Sequence, residues 1–171
     1  MHKEVLDEFN KWYKNNLYHV DTKPVAELGS YNINGSLKGT ITHTVGFDIC
    51  EGPNVDIPIE LGVIPEKHKN KYNTVISISS FQFCPNSVMY KNEILDLLCH
   101  EGLLFLTMCS PKCELGHSTS PNKYKFGDSI RMTHIEINEL FGKDFEILEL
   151  YDSPVTNLIS HQDTILIAKK K

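Results

Sequence analysis

Apolar residues recur at helical spacing from Lys3 to Leu17, where Val5, Leu6, Phe9, Trp12, Tyr13 and Leu17 share one stripe. That spacing predicts an N-terminal helix within residues 1–20. The pattern then shortens to runs of four to seven residues bounded by turn formers. Val25–Gly29, Val45–Ile49 and a very short Val55–Ile57 read as strands one to three. Asn73–Ser79 is rich in β-branched residues, and Gly102–Met108 is nearly all apolar, as a strand covered on both faces must be. Helices fall between the later strands. Pro85-Asn86-Ser87 is a start signal with Ile94, Leu95 and Leu98 behind it, and Thr133 opens a capping box with Glu136 that stops at Gly142. Ile147–Leu150 and Thr164–Ala168 close the chain. The loop between them is too short for a helical crossover, so they form an antiparallel hairpin. The sum is an α/β protein: a three-layer αβα sandwich in one domain, residues 1–171. Its sheet is mostly parallel, with a C-terminal antiparallel hairpin, and is reduced around strand three.

Composition narrows the partners. The chain has 171 residues, 40% hydrophobic and 23% charged, enough for a core without staples. Its net charge is −5, and Arg131 is the only arginine among 17 basic residues, which disfavours nucleic acid as the principal partner. No apolar run reaches the length that spans a bilayer, and residues 1–16 have no apolar leader core, so a cytoplasmic protein without a membrane partner is expected. Five cysteines, an odd number, read as reduced thiols. Cys109-x-x-x-Cys113-x-x-x-His117 departs from the usual spacing of structural zinc, and no metal is expected.

In open α/β sheets the ligand sits beyond the carboxyl ends of the strands. Strand one is followed by Gly29-Ser30-Tyr31-Asn32-Ile33-Asn34-Gly35-Ser36, where two glycines allow a tight turn and a close backbone approach. Strand two is followed by Asp48, placed to bind ribose hydroxyls. Glu27, inside strand one, must be paired or face a polar ligand. The Gly-x-Gly-x-x-Gly and Gly-Lys-Ser/Thr patterns are absent, which leaves a nucleoside ligand without a pyrophosphate. Among downstream residues, His117 is a candidate general base.

The ordered set Val25-Ala26-Glu27-Leu28-Gly29-Ser30, Asn34-Gly35-Ser36, Val45-Gly46-Phe47-Asp48-Ile49 and Gly52-Pro53-Asn54-Val55-Asp56 resembles class I S-adenosylmethionine-dependent methyltransferases, in their small branch with Glu-x-Gly-Ser and a following Asn-Gly-Ser. Tyr72–Ser80 and the His117, Pro121, Tyr124, Lys125 stretch extend the resemblance toward the C-terminus. It implies a Rossmann-like methyltransferase fold with S-adenosyl-L-methionine as cofactor. By that resemblance Gly29, Ser30 and Asn34 shape the pocket for the methionine part, and Asp48 binds the ribose. Glu60, with Leu61 beside it, approaches the adenine, and Ser79 and Ser80 lie near the methyl group. The acceptor implied is a small molecule or sugar.

Two departures stand out. Cys50–Asn54 leaves no room for a helix between strands two and three, and Gln82-Phe83 stands where many relatives carry Glu-His. They keep open a second reading, a non-catalytic nucleoside-binding protein that acts through a partner chain. A homodimer through edge strands or the N-terminal helix is compatible with the pattern, and nothing in the sequence selects it.

Overall fold

Strands form where β-branched and apolar residues cluster, and they assemble into one seven-stranded sheet in the computed structural model, which describes residues 3–32, 37–112, 130–155 and 162–171. In chain order the elements are α1 (Lys3–Asn15), α2 (Leu17–Asp21), β1 (Val25–Leu28), β2 (Thr44–Asp48), β3 (Ile57–Pro58), β4 (Tyr72–Ile78), α3 (Ser87–Leu97), β5 (Leu98–Cys109), α4 (His134–Phe141), β6 (Phe145–Asp152) and β7 (Asp163–Lys170). The sheet order is β3-β2-β1-β4-β5-β7-β6. β3, β2, β1, β4 and β5 run parallel, while β7 is antiparallel to both β5 and β6. The mixed α/β sheet and its C-terminal hairpin are as the pattern predicts.

Strand alternation sorts the core into two layers. Ala26, Leu28, Val75, Leu104, Leu106 and Ala168 cluster with Tyr90, Ile94, Leu97, Ile137 and Phe141 of α3 and α4. Their neighbours Val25, Ile76, Leu103, Phe105, Ile165 and Ile167 point to the other face and cluster with Phe9, Trp12 and Val20 of α1 and α2. On that face the Phe105 ring meets Phe9 edge-on, with centroids 5.4 Å apart.

Three details refine the expectation. The N-terminal helix is two helices. The Asn16 side chain donates to the Trp12 carbonyl at 2.8 Å, which caps α1 and breaks the stripe before Leu17. The crossover after β1 contains, among the described residues, one turn in which Ile41 N–H donates to Leu37 O at 2.9 Å. Third, strand three is short, but it is a genuine parallel neighbour, with Phe47 opposite Ile57 and Asp48 opposite Pro58. A parallel crossover ordinarily needs a dozen or more residues. Residues 49–56 manage it by folding flat onto β2. Asp56 N–H donates to Gly46 O at 2.9 Å, and Gly46 N–H donates to the Asp56 carboxylate at 2.7 Å. Gly46 makes this possible, because a Cβ there would sit 2.2 Å from the Asn54 carbonyl oxygen.

Candidate cofactor site

The sheet order reverses between β1 and β4, since the chain winds outward through β2 and β3 and then returns to the other side of β1. Such a switch point opens a crevice beyond the carboxyl ends of the two central strands. The turn leaving β1 is hung on β2: Gly29 N–H and Ser30 N–H both donate to Phe47 O, at 2.8 and 3.1 Å. Tyr31 N–H donates to Asp48 Oδ2 and Cys50 N–H donates to Asp48 Oδ1, both at 3.0 Å. Asp48 therefore ties the first turn to the loop after β2. A carboxylate has about four lone-pair sites, so these two amides orient it and leave acceptor capacity for hydroxyl donors. Burial pushes its carboxyl above the usual range, opposed by the backbone amides of Tyr31, Cys50 and Ile49.

Glu27 is the most unusual group of the site. It lies in the middle of the sheet, 7% exposed, between Gly46 on β2 and Ile76 on β4. Burial pushes its carboxyl up to about 7, against the pull of Lys38 and the Leu37 backbone amide, and nearby Asp48 and Asp56 push in the same direction as burial. Its Oε2 is buried without a hydrogen-bond partner among the described residues. Lys38 is turned to Asp56, 2.6 Å away.

The remaining residues named from the sequence fall in different places. Gly29 has φ +80, and a Cβ there would lie 2.0 Å from Ser80 Oγ. Its freedom is thus required by the fold itself. Ser80 sits beneath Gly29, where it donates to Leu28 O at 3.3 Å and meets the Tyr90 hydroxyl. Ser30 is buried and packs over Gly46, its Oγ without a partner among the described residues. Ser79 adopts φ +54 at the end of β4, with its N–H on Thr107 Oγ1 at 3.0 Å and its own Oγ buried and unpartnered among the described residues. A left-handed serine costs on the order of 1 kcal/mol and is held by its surroundings. Glu60 is exposed, and Leu61 is half-buried against the α3–α4 side of the core. Asn34, Cys113 and His117 lie outside the described residues.

Three residues of this region were not singled out from the sequence. Tyr90 of α3 is fully enclosed, and its hydroxyl meets Ser77 Oγ at 2.8 Å and Leu28 O at 3.2 Å, locking β1 to β4. Glu93, one turn further along α3, is 2% exposed and accepts from Gly62 N–H at 2.5 Å. Burial pushes it up to about 7, with Asp48 adding to the push. A carboxylate inside the apolar stripe Tyr90, Ile94, Leu97 was the signal that could have marked it. Gln82 is buried, and its Oε1 accepts from Cys109 N–H at 2.7 Å, which pins the end of β5.

No family model matches this chain, and neither does any curated protein. Solved structures do. The 1,6-didemethyltoxoflavin-N1-methyltransferase of Burkholderia thailandensis, solved with S-adenosylhomocysteine bound, superposes with a TM-score of 0.71 at 11% identity, over 99% of this chain and 79% of that one. A SAM-dependent methyltransferase of Anabaena variabilis gives 0.68 at 14% identity, over 98% and 86%. The [4+2]-cyclase SpnF gives 0.67 at 14% identity, over 96% and 81%. The chain has the Rossmann-like fold of class I S-adenosylmethionine-dependent methyltransferases. Identities this low establish the fold alone, and one neighbour is named for a different reaction, so function has to be argued from the site.

Proposed function

We propose that this protein binds S-adenosyl-L-methionine at the β1–β4 switch point and transfers its methyl group to a small-molecule acceptor. The observation that carries this reading is Glu27, a carboxylate in the central strand with one oxygen unpartnered among the described residues, beside the Asp48 carboxylate at the end of β2. Two acids there suit a ligand with cationic and hydroxyl-bearing parts. Glu27 would hold the amino group of the methionine part, and Asp48, oriented by Tyr31 and Cys50, would accept the ribose hydroxyls. Gly29, Ser30 and Asn34 would line the methionine side, Glu60 and Leu61 the adenine side, and Ser79 and Ser80 the approach to the methyl. The bound cofactor supplies an activated methyl on a sulfonium, so the protein's task is alignment of the acceptor and exclusion of water. His117 is the proposed base where the acceptor is a hydroxyl.

S-adenosylhomocysteine added in hundredfold excess over Kd should stabilise the protein by about 2.7 kcal/mol. Asp48→Ala should abolish that gain, and an unchanged gain would remove Asp48 from the site. His117→Ala should leave S-adenosylhomocysteine binding intact and lower turnover.

Gln82 favours a second reading. It stands where the resemblance has an acid–base pair, and its side chain is spent on the Cys109 amide. A regulatory nucleoside-binding protein would bind S-adenosylhomocysteine in the same way and transfer no methyl group to any acceptor.

A further inference from the structure

Beside β3 the reduced corner leaves a second feature. The connection from β3 to β4 contains, among the described residues, one 3-10 turn, Glu66–His68. One turn cannot cover the outer strands as a helix would. A cavity of about 500 Å³ remains, lined by Pro24, Val45, Ile57, Lys67, His68, Lys71 and Tyr72. Pro24 precedes β1, Val45 and Tyr72 stand at the amino ends of β2 and β4, and Ile57 lies opposite Phe47 on β2.

The cavity has three chemical properties. Its walls are apolar, from Val45, Ile57 and Pro24 and the aromatic group behind them, where Phe47 packs edge-on to both His68 and Tyr72. Its rim is cationic: Lys67 and Lys71 have no ion-pair partner among the described residues, while neighbouring acids are taken, Glu66 by Lys69 and Asp56 by Lys38. Its wall also holds a histidine. His68 Nδ1 lies 2.8 Å from the Tyr72 hydroxyl, but Nε2 is buried with no partner among the described residues. Burial, with Lys67 and Lys71 beside it, holds His68 below its usual range.

We infer that this corner is a second binding site, separate from the switch-point crevice, for a small organic anion: a carboxylate or phosphate on a compact apolar body. The anion is held by Lys67 and Lys71, and the apolar body by Val45, Ile57 and Pro24. The volume falls within the range of small-ligand sites. The inference does not depend on the proposed activity, because no residue is shared between the two sites.

The test is an amide and side-chain NMR titration of the full chain with benzoate, phenyl phosphate and, as the uncharged control, benzyl alcohol. Benzoate or phenyl phosphate should shift the resonances of His68, Lys71, Tyr72 and Val45, and should bind at least tenfold more tightly than benzyl alcohol. Lys67→Gln with Lys71→Gln, two exposed positions that leave the core intact, should weaken the anion at least tenfold. S-adenosylhomocysteine binding should not change in that variant, so failure of one site is read separately from failure of the other. Which probe wins distinguishes carboxylate from phosphate. The inference is overturned if neither anion shifts these resonances, if benzyl alcohol binds as well as benzoate, or if the double variant binds the anions unchanged.

Discussion

Glu27 and Glu93 are the residues on which acidity should be most visible. Both are buried carboxyls pushed from 4.5 to about 7, mainly by loss of water. Between about pH 4.5 and 7 the unfolded chain has released protons that the folded chain still holds. Stability therefore falls as pH rises through that window and levels off above it. The combined loss is at most about 7 kcal/mol, at about 1.4 kcal/mol for each pH unit that separates folded from unfolded titration. Groups held low, such as Asp56 and Asp152, act only in more acidic solution. Thermal melts from pH 5 to pH 8 should show a falling Tm, and Glu27→Gln or Glu93→Gln should each flatten the fall. A Tm that rises across the window would contradict the burial of these charges. Gly29 makes a sharper steric case. Ala at φ +80 carries a left-handed penalty of about 1–2 kcal/mol, and its methyl overlaps Ser80. Gly29→Ala should lose at least about 3 kcal/mol in urea unfolding. Adding Ser80→Gly should recover the overlap but not the backbone penalty. No recovery would mean that the conformation alone imposes the glycine.

Among elements, α3 does the most organising, although its sequence announces little of it. Asn86 caps it by accepting from Val88 and Met89 N–H, as the Pro-Asn-Ser start signal suggests. Of the expected face Ile94, Leu95 and Leu98, Ile94 is buried on α3, Leu95 only in part, and Leu98 already opens β5, while Leu97 takes the buried place beside Ile94. What the pattern could not show is that Tyr90 reaches across to Leu28 O, Ser77 and Ser80, because a hydroxyl network depends on which strands become neighbours. Tyr90→Phe keeps the ring and removes the junction. Ser80 still donates to Leu28 O, so the loss should be about 1–2 kcal/mol, with the β1 and β4 ends loosened. A neutral Tyr90→Phe in urea unfolding would show that the serines re-pair without it. The β2–β3 connection was legible in the opposite way. Its length excluded a helix, yet the means by which a parallel strand forms without one, Asp56 clasping Gly46 at both N–H and C=O, involves a contact between residues ten apart and could not be read from propensity.

Across the whole molecule, the periodicities located every strand, and short loops fixed the antiparallel end, since alternation and connection length are local properties. The ligand-facing chemistry was legible only where one residue is out of place by itself, as Glu27 is in a buried strand. Glu93 is out of place in an apolar stripe in the same way, but its partner 31 residues away, like that of Tyr90 62 residues away, needed the packed structure. The same division predicts how stability is distributed. β5 and β7 pair over Leu103–Cys109 and are buried on both faces, whereas β3 has two residues and lies at an edge. Amide exchange should therefore be slowest at Leu104, Leu106, Leu166 and Ala168, by global unfolding, and fast by local opening through residues 49–58. A ligand at the switch point binds only the conformation in which Asp48 holds Tyr31 and Cys50. S-adenosylhomocysteine should thus slow exchange at Gly29, Ser30, Tyr31 and Cys50 beyond the general increase that any native-state ligand gives to the core. Protection confined to the β5–β7 core, with these four amides unchanged while Tm rises, would place the ligand elsewhere and leave Glu27 and Asp48 as structural acids.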